Sequence, residues 1–260
     1  MLKSAIEKSV RLAVHRCNRT TRLLSEFVVK HEDSHIIVAL KPSGFLSQPN
    51  DTSSRQSIVD SLKAIIRNRD KSNGDQYLSP AHRIDFPCSG LMLFAKTANV
   101  ASRLSKQFSE RKVVKQYISI VEGELLGEKL IEGLITIGTE KPKKKHASLR
   151  YKFLSHVSLK NSSRIVNCSF LHVDLLTGRK HQIRAQLSQL GHPILGDKKY
   201  GSSHYFGDST IALHAYKISF RHPVNNTSMS FQHNFPEDWV DRFDDDNSDT
   251  LRLEMSKLLS

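Results

Sequence analysis

One aspartate among turn residues is the first candidate for chemistry in this sequence. Asp85 lies in the segment HRIDFPCSG, residues 82–90, directly before the apolar run Leu91–Ala95. The run predicts a buried strand, and a loop that presents a side chain beside a rigid strand is a favourable place for catalysis. An Asp followed closely by Pro and Gly is also typical of a plain turn. From this loop alone, the turn is the stronger interpretation.

The second candidate is a basic segment at the predicted start of a helix. Residues 177–184 have the sequence TGRKHQIR, and apolar residues spaced i, i+4 and i+7 predict a helix over Lys180–Leu190 that Gly191 and Pro193 end. Cations at a helix N-terminus oppose the helix dipole unless an anion is bound there. A phosphate is such an anion. An ordinary basic helix start at the surface is the alternative.

The charge of the chain favours a polyanionic partner. The 260 residues include 39 Lys and Arg against 26 Asp and Glu, a formal net charge of +13. Much of this excess is concentrated, because segment 141–184 contains eleven Lys and Arg residues and a single acid, Asp174. A clustered excess indicates a binding surface, whereas a dispersed one mainly helps solubility.

The two ends of the chain have opposite charge. Residues 1–25 carry six Lys and Arg and one acid, with several Ser and Thr, a composition typical of an organelle transit peptide; a frayed basic helix fits equally well. If residues 1–25 are a transit peptide, a mitochondrial protein is expected. If they are not, a cytoplasmic protein is expected. Residues 237–254 carry eight acids and indicate a solvated acidic tail. We therefore divide the chain into an extension (1–30), one domain (31–240) and a tail (241–260).

Several functional classes are excluded. No run of consecutive apolar residues exceeds five, whereas a membrane-spanning helix needs about 20. The three cysteines form no CxxC pair, which argues against a disulfide framework and a thiolate zinc site. His181 and His192 lack Cys, Asp or Glu partners at ligand spacing, so no metal site is predicted. Dinucleotide, P-loop, zincin and hydrolase-elbow motifs are absent.

Hydrophobic periodicity predicts strands and helices in an irregular order. A helix capped by Ser53 is expected around residues 58–66, followed by a loop over Arg67–Gln76, and Thr97 is expected to cap a second helix. Residues 127–150 are typical of hairpins or exposed loops. The predicted strands are His35–Leu40, Ser89–Lys96, Val113–Val121, Arg164–Leu176 and Ile211–Phe220. Consecutive strands favour a single α+β domain.

Five blocks together resemble the RluA family of RNA pseudouridine synthases. HRIDFPCSGL (82–91) is similar to the family's HRLDxxTSGL, ALKPSGFLSQP (39–49) to its KPxG segment, and KQY (115–117) to its KxY strand. TGRKHQIR (177–184) with GHPILGDKKYG (191–201) resembles TGRxHQIR and GHPIxGDxxYG, and LHA (213–215) with FRHP (220–223) resembles the closing segment. The resemblance covers residues 35–240 and overturns the plain-turn interpretation of Asp85.

The resemblance implies a fold and a reaction. The expected fold is a single α+β catalytic domain with a bent, mainly antiparallel mixed sheet flanked by helices and loops. The reaction detaches uracil from its ribose and rejoins it through carbon 5, without a metal or organic cofactor. Asp85 matches the catalytic aspartate, Arg184 the arginine that pairs with it, and Tyr117 the tyrosine that stacks on the base. The partner is RNA (ribosomal, transfer or messenger), with no membrane, and the enzyme is expected to be a monomer.

The resemblance also implies contacts with the flipped nucleotide and the RNA backbone. Residues placed there are Arg83, His82, Arg179, Lys180, His181 and Gln182. One departure is Cys88, which replaces the usual Thr and donates a weaker hydrogen bond. The main alternative is a noncatalytic RNA-binding protein or RNA chaperone that keeps the fold. A phosphoesterase acting on nucleic acid is a weaker one, since it would need a metal cluster or a His pair near a nucleophile.

Overall fold

A ten-stranded mixed sheet organises the chain in the computed structural model, which describes residues 28–50, 52–71, 76–137, 142–159 and 166–260. The basic segment 1–25 lies outside these residues, so the transit peptide stays a prediction. Within the described ranges, no helix is long and apolar enough to cross a membrane. The sheet with its flanking helices confirms the α+β fold.

Elements are numbered in chain order. The strands are β1 (Val29–Glu32), β2 (Ile36–Lys41), β3 (Ser79–Pro80), β4 (Ser89–Ala95), β5 (Val114–Glu122), β6 (Glu128–Ile137), β7 (Lys143–Leu159), β8 (Val166–Leu175), β9 (Leu213–Arg221) and β10 (Ser228–Gln232). The helices are α1 (Ile58–Asp70), α2 (Ala98–Ser109), α3 (Gln182–Gln189) and α4 (Asp245–Leu259), with short 3-10 helices at Lys198–Tyr200 and Glu237–Arg242.

The strand order brings distant parts of the chain together. The order is β1-β2-β4-β9-β5-β8-β7-β6, with β3 beside β4 and β10 beside β9. Among the described strands, β4 and β9 form the single parallel pair, and they join the two halves of the sheet at Ser89–His214 and Gly90–Ala215. Gly90 is required here: its φ is +134°, and a Cβ would lie 2.4 Å from the backbone nitrogen of Ala215.

Alternation along the buried strand β2 places a helix on each side of the sheet. Ile37 and Ala39 belong to the larger core, which includes apolar residues of α1, whereas Ile36 and Val38 belong to a smaller core under α2. The strand β4 is buried along its whole length, as the apolar run predicts. A strand covered on both faces is held rigidly, so the loop before β4 starts from a fixed point.

Of the two predicted helix-capping residues, Thr97 is confirmed and Ser53 is wrong. The Thr97 hydroxyl accepts from the Val100 N–H at 3.3 Å, which confirms the predicted cap of α2. In α1 the cap is Ser57 instead of Ser53, because Ile58 N–H and Gln56 C=O pair with Leu46 and hold that segment extended. The helix also continues to Asp70, so the predicted loop Arg67–Gln76 begins too early.

The predicted solvated acidic tail is instead a packed helix. Residues 245–259 form α4, in which Leu251 and Met255 are fully buried against the larger core. Asp244 accepts from the Asn247 N–H at 2.9 Å, and acids in the first turn favour the helix dipole. The acids therefore start the helix while the apolar residues spaced i, i+4 anchor it.

The packing of α4 can be tested by truncating its buried face. Leu251→Ala removes a fully buried side chain, so we expect the free energy of unfolding to fall by about 3 kcal/mol. Leu253→Ala is the matched control, since Leu253 is 57% exposed on the same helix, and should change it by less than about 0.5 kcal/mol. Urea denaturation measures both, and equal losses would show that α4 does not pack as described.

Candidate active site

A cavity of about 380 Å³ collects all nine predicted site residues. Its lining includes Asp85, Tyr117 and Arg184 together with Arg83, His82, Arg179, Lys180, His181 and Gln182. The residues come from the loop before β4, from β5, from the turn that leads into α3 and from the first turn of α3 itself. Among the described residues, no three His, Cys, Asp or Glu side chains are grouped so that they could hold a metal ion.

The backbone around Asp85 is held by the segment that follows β2. The Ser47 hydroxyl donates to the Ile84 carbonyl at 2.7 Å and accepts from the Ile84 N–H at 3.1 Å. The Gly44 N–H donates to the Phe86 carbonyl at 2.9 Å. Asp85 is therefore bracketed by hydrogen bonds on both neighbours, which fixes where its carboxylate points.

Lys41 supports the same loop from inside the core, and sequence reasoning assigned it no role. Its ammonium donates to the carbonyls of Pro42, Phe45 and Phe86 at 2.8, 2.9 and 3.3 Å. Burial lowers the pKa of Lys41 to about 8, against the opposing effects of Cys88 and Asp85. Its place in the KPSG block was the available signal, but the carbonyl partners are visible only in the structure.

Arg184 connects Asp85 to a second carboxylate that the sequence did not reveal. Its Nη1 donates to Asp85 Oδ2 at 3.3 Å, which confirms the expected pair. Its Nε and Nη2 donate to the two oxygens of Asp197 at 2.6 and 2.8 Å, a closer bidentate contact. Burial lowers the pKa of Arg184, but Asp197 and Asp85 outweigh it and raise the pKa above its usual value. Asp197 therefore anchors Arg184, and Asp85 is the more loosely held of the two carboxylates.

His181 lies on the other side of Asp85 in an unusual backbone conformation. It precedes α3, which begins at Gln182 and not at Lys180, and its φ is +56°, a left-handed value rare outside Gly. Its Nε2 is 3.8 Å from Asp85 Oδ1, and its Nδ1 is 3.0 Å from the Tyr200 hydroxyl. Burial lowers the pKa of His181, although Asp85 acts in the opposite direction. The imidazole is thus predominantly neutral at neutral pH.

Tyr117 and Cys88 form uncharged walls of the pocket. Burial raises the pKa of Tyr117, with Cys88 and Asp85 adding to the effect, so the phenol keeps its proton. Burial also raises the pKa of Cys88 to about 12. The Cys88 thiol lies 3.1 Å from the Leu213 carbonyl and can donate to it, which links the loop to β9.

Two of the residues expected to contact RNA make their hydrogen bonds to the protein. His82 Nε2 accepts from the Leu93 N–H at 3.2 Å, and burial lowers the pKa of His82 to about 3. The Gln182 side chain bonds Thr177, Ser148, Gln186 and the Arg179 N–H. Both residues hold the pocket walls in place, and their direct contact with RNA stays a prediction.

The remaining basic residues form the mouth of the pocket. Arg83 and Lys180 are exposed, and Arg179 is half-buried with its Nε donating to the His146 carbonyl at 3.1 Å. Other described cations of segment 141–184, from Lys143 to Lys152, lie on β7 in the β6–β7 hairpin and do not line the pocket. The basic segment therefore divides into a pocket part and a hairpin part.

Comparison with known proteins agrees with this geometry. A family model described as RNA pseudouridylate synthase matches residues 35–189. The chain is 35% identical over 207 residues to the dual-specificity RNA pseudouridine synthase RluA of Pasteurella multocida, covering 78% of this chain and 90% of the relative. It is 30% identical over 234 residues to the tRNA pseudouridine synthase C of the same organism, covering 82% and 93%.

A solved human structure shares the fold. It is named RNA Pseudouridylate Synthase Domain Containing 4, and it superposes with a TM-score of 0.66 at 20% identity over 90% of this chain and 95% of that chain. At this identity the likeness speaks for the fold alone.

The anchoring role of Asp197 predicts a large loss of stability on its replacement. Asp197→Asn removes the charge that neutralises Arg184, so we expect the free energy of unfolding to fall by about 3 kcal/mol. Asp208→Asn is the control, because Asp208 is exposed and accepts from the Tyr205 hydroxyl at the surface. Urea denaturation compares the two, and a loss no larger for Asp197→Asn would contradict the anchoring role.

Proposed function

This chain belongs to the RNA pseudouridylate synthase family, and on that premise we propose that it converts a uridine of a structured RNA to pseudouridine with Asp85 as the catalytic carboxylate. The observation that carries the assignment to Asp85 is its place in the pocket. Among the described residues that line the pocket it is the single carboxylate, and Arg184 holds one of its oxygens. A general RNA-binding surface has no use for an acid at this point.

The two oxygens of Asp85 are not equivalent. Oδ2 accepts from Arg184 at 3.3 Å, whereas Oδ1 faces His181 across 3.8 Å, too far for a hydrogen bond. Oδ1 is therefore the oxygen left for the substrate. An ionised carboxylate can attack the ribose or the base, or abstract a ribose proton, and each route leads to cleavage of the bond between N1 and C1′.

The pocket matches the demands of a flipped base. A base inside a stacked RNA has to be extruded, which costs a few kcal/mol that backbone contacts must offset. The cavity of about 380 Å³ is within the range of small-ligand sites. Tyr117 offers a neutral aromatic wall for stacking, and Arg83, Arg179 and Lys180 place positive charge around the opening.

Transfer RNA is the substrate class we propose first. One relative is named for tRNA, and the other is named as having dual specificity. Both match over most of their length, so the catalytic unit of this chain corresponds to theirs. Unpaired or splayed uridines of a folded RNA are the accessible targets.

The catalytic assignment is tested by removing each charge of the Asp85–Arg184 pair. Asp85→Asn should lower the rate of pseudouridine formation by about 10³-fold or more while RNA affinity changes little. Arg184→Met should lower turnover much more than it lowers affinity, because it releases Asp85 from its position. Activity on tRNA transcripts is measured with Asp208→Asn as the control. Wild-type turnover in Asp85→Asn would contradict the mechanism.

The substrate and the predicted mitochondrial location are tested in one experiment. Pseudouridine is mapped across the transcriptome with and without the protein, in separate organelle and cytosol fractions. We expect sites that depend on the protein in tRNA, within the mitochondrial fraction if residues 1–25 are a transit peptide. Sites confined to ribosomal or messenger RNA would contradict the proposed substrate class, and sites confined to the cytosol would contradict the location.

A further inference from the structure

The pocket contains more positive charge than its own acid can neutralise. Its lining has five cationic side chains and one carboxylate. Arg184 is neutralised by Asp197 and Asp85. Among the described residues, no ion pair to a carboxylate involves the other four, which are Arg83, Lys115, Arg179 and Lys180. The site is therefore built for an anion that the protein does not supply.

Of these four cations, Lys115 is the one to which the catalytic assignment gives no role. It stands on β5 two residues before Tyr117, so both side chains face the pocket. Unlike Lys180, it is half-buried, and burial alone lowers its pKa. Within the described part of the chain its ammonium makes no hydrogen bond or ion pair. A desolvated cation without a partner is costly, and a bound anion would offset that cost.

Within the described residues, the Lys115 ammonium has His82 and Gly178 as neighbours and no carboxylate partner. His82 lies close enough for the Lys115 charge to lower its pKa. Because His82 Nε2 accepts from the Leu93 N–H, its proton resides on Nδ1, which also lacks a partner among the described residues. On the outer side is the exposed Gly178, where a Cβ would lie 3.3 Å from Lys115 Nζ. The ammonium thus lies just beneath the turn that carries Arg179 and Lys180.

We propose that Lys115 binds a backbone phosphate of the RNA strand that carries the target uridine, at the rim of the pocket. The phosphate oxygens are permanently anionic, so they match an unpaired ammonium in the ground state, whereas a uracil carbonyl is neutral there. Arg179 and Lys180 lie on the same turn above Lys115 and extend the positive rim along the strand. This inference rests on the proposed function, because it takes RNA as the ligand.

The test measures RNA affinity without turnover. Binding of an unmodified tRNA transcript is measured in the Asp85→Asn chain at a series of KCl concentrations, alone and combined with Lys115→Met or Lys115→Arg. The matched control is Lys112→Met. Lys112 is a cation on the same segment, lies outside the pocket and pairs with Glu110 at 2.7 Å. Lys115→Met should raise Kd about 10-fold and reduce the slope of log K against log salt by about 0.7–0.9. Lys115→Arg should stay within about 3-fold, since it keeps the charge.

Two further measurements separate this role from others. In the otherwise wild-type enzyme, Lys115→Met should raise KM and leave kcat within about 2-fold, because a phosphate contact is made equally in the ground and transition states. Its Tm should not fall, since it removes an unpaired half-buried charge; a purely structural lysine would lose stability instead.

The outcomes that would overturn the assignment are distinct. A loss confined to kcat would place Lys115 on the base instead of the phosphate. A Kd and salt slope no different from those of Lys112→Met would remove it from the RNA interface. If the Asp85→Asn chain bound no RNA at all, the proposed function itself would be contradicted.

Discussion

A buried guanidinium that must be neutralised governs the architecture of this site. Arg184 is almost inaccessible to water, and a charge in that position is tolerated only with close partners of opposite sign. Asp197 meets the requirement with two short hydrogen bonds from Nε and Nη2, which leaves Nη1 of Arg184 to donate to Asp85. The interaction ties α3 to the segment after it and to the loop before β4. The carboxylate proposed as catalytic, that of Asp85, is thus positioned by the Arg184–Asp197 pair.

The charges inside the pocket and those at its rim are kept apart. Around Asp85, burial keeps the neighbours Tyr117, Cys88 and His181 in their neutral forms. Charges on these three residues therefore do not weaken the interaction of Asp85 with Arg184. The cations that have no carboxylate partner among the described residues line the same pocket, where we propose that the RNA backbone binds. This separation lets one small pocket hold a polyanion and still present a negative oxygen to it.

Sequence patterns predicted the local structure well where one signal dominated and poorly where two competed. The buried strand β4 and the Thr97 cap follow directly from an uninterrupted apolar run and a capping residue. At α1 the cap is Ser57 and not the predicted Ser53, because the preceding segment pairs with Leu46, a tertiary contact. In α4 the number of acids concealed an apolar spacing of four residues, although acids at a helix start and apolar residues on its inner face are compatible.

The sequence alone determined which residues are proposed as the reaction centre, because its blocks carry Asp85, Tyr117 and Arg184 in recognisable surroundings. The expected pair of Arg184 with Asp85 is present across 99 residues of chain. Only the tertiary structure decided which groups hold that pair and which remain free for RNA. Asp197, Lys41 and Lys115 stand in the same recognisable blocks, yet their partners, or the lack of them, depend on distances between segments far apart in the chain. Residue type specifies which interactions a side chain can make. Its burial and its neighbours then decide whether its charge is paired within the protein or left for a ligand.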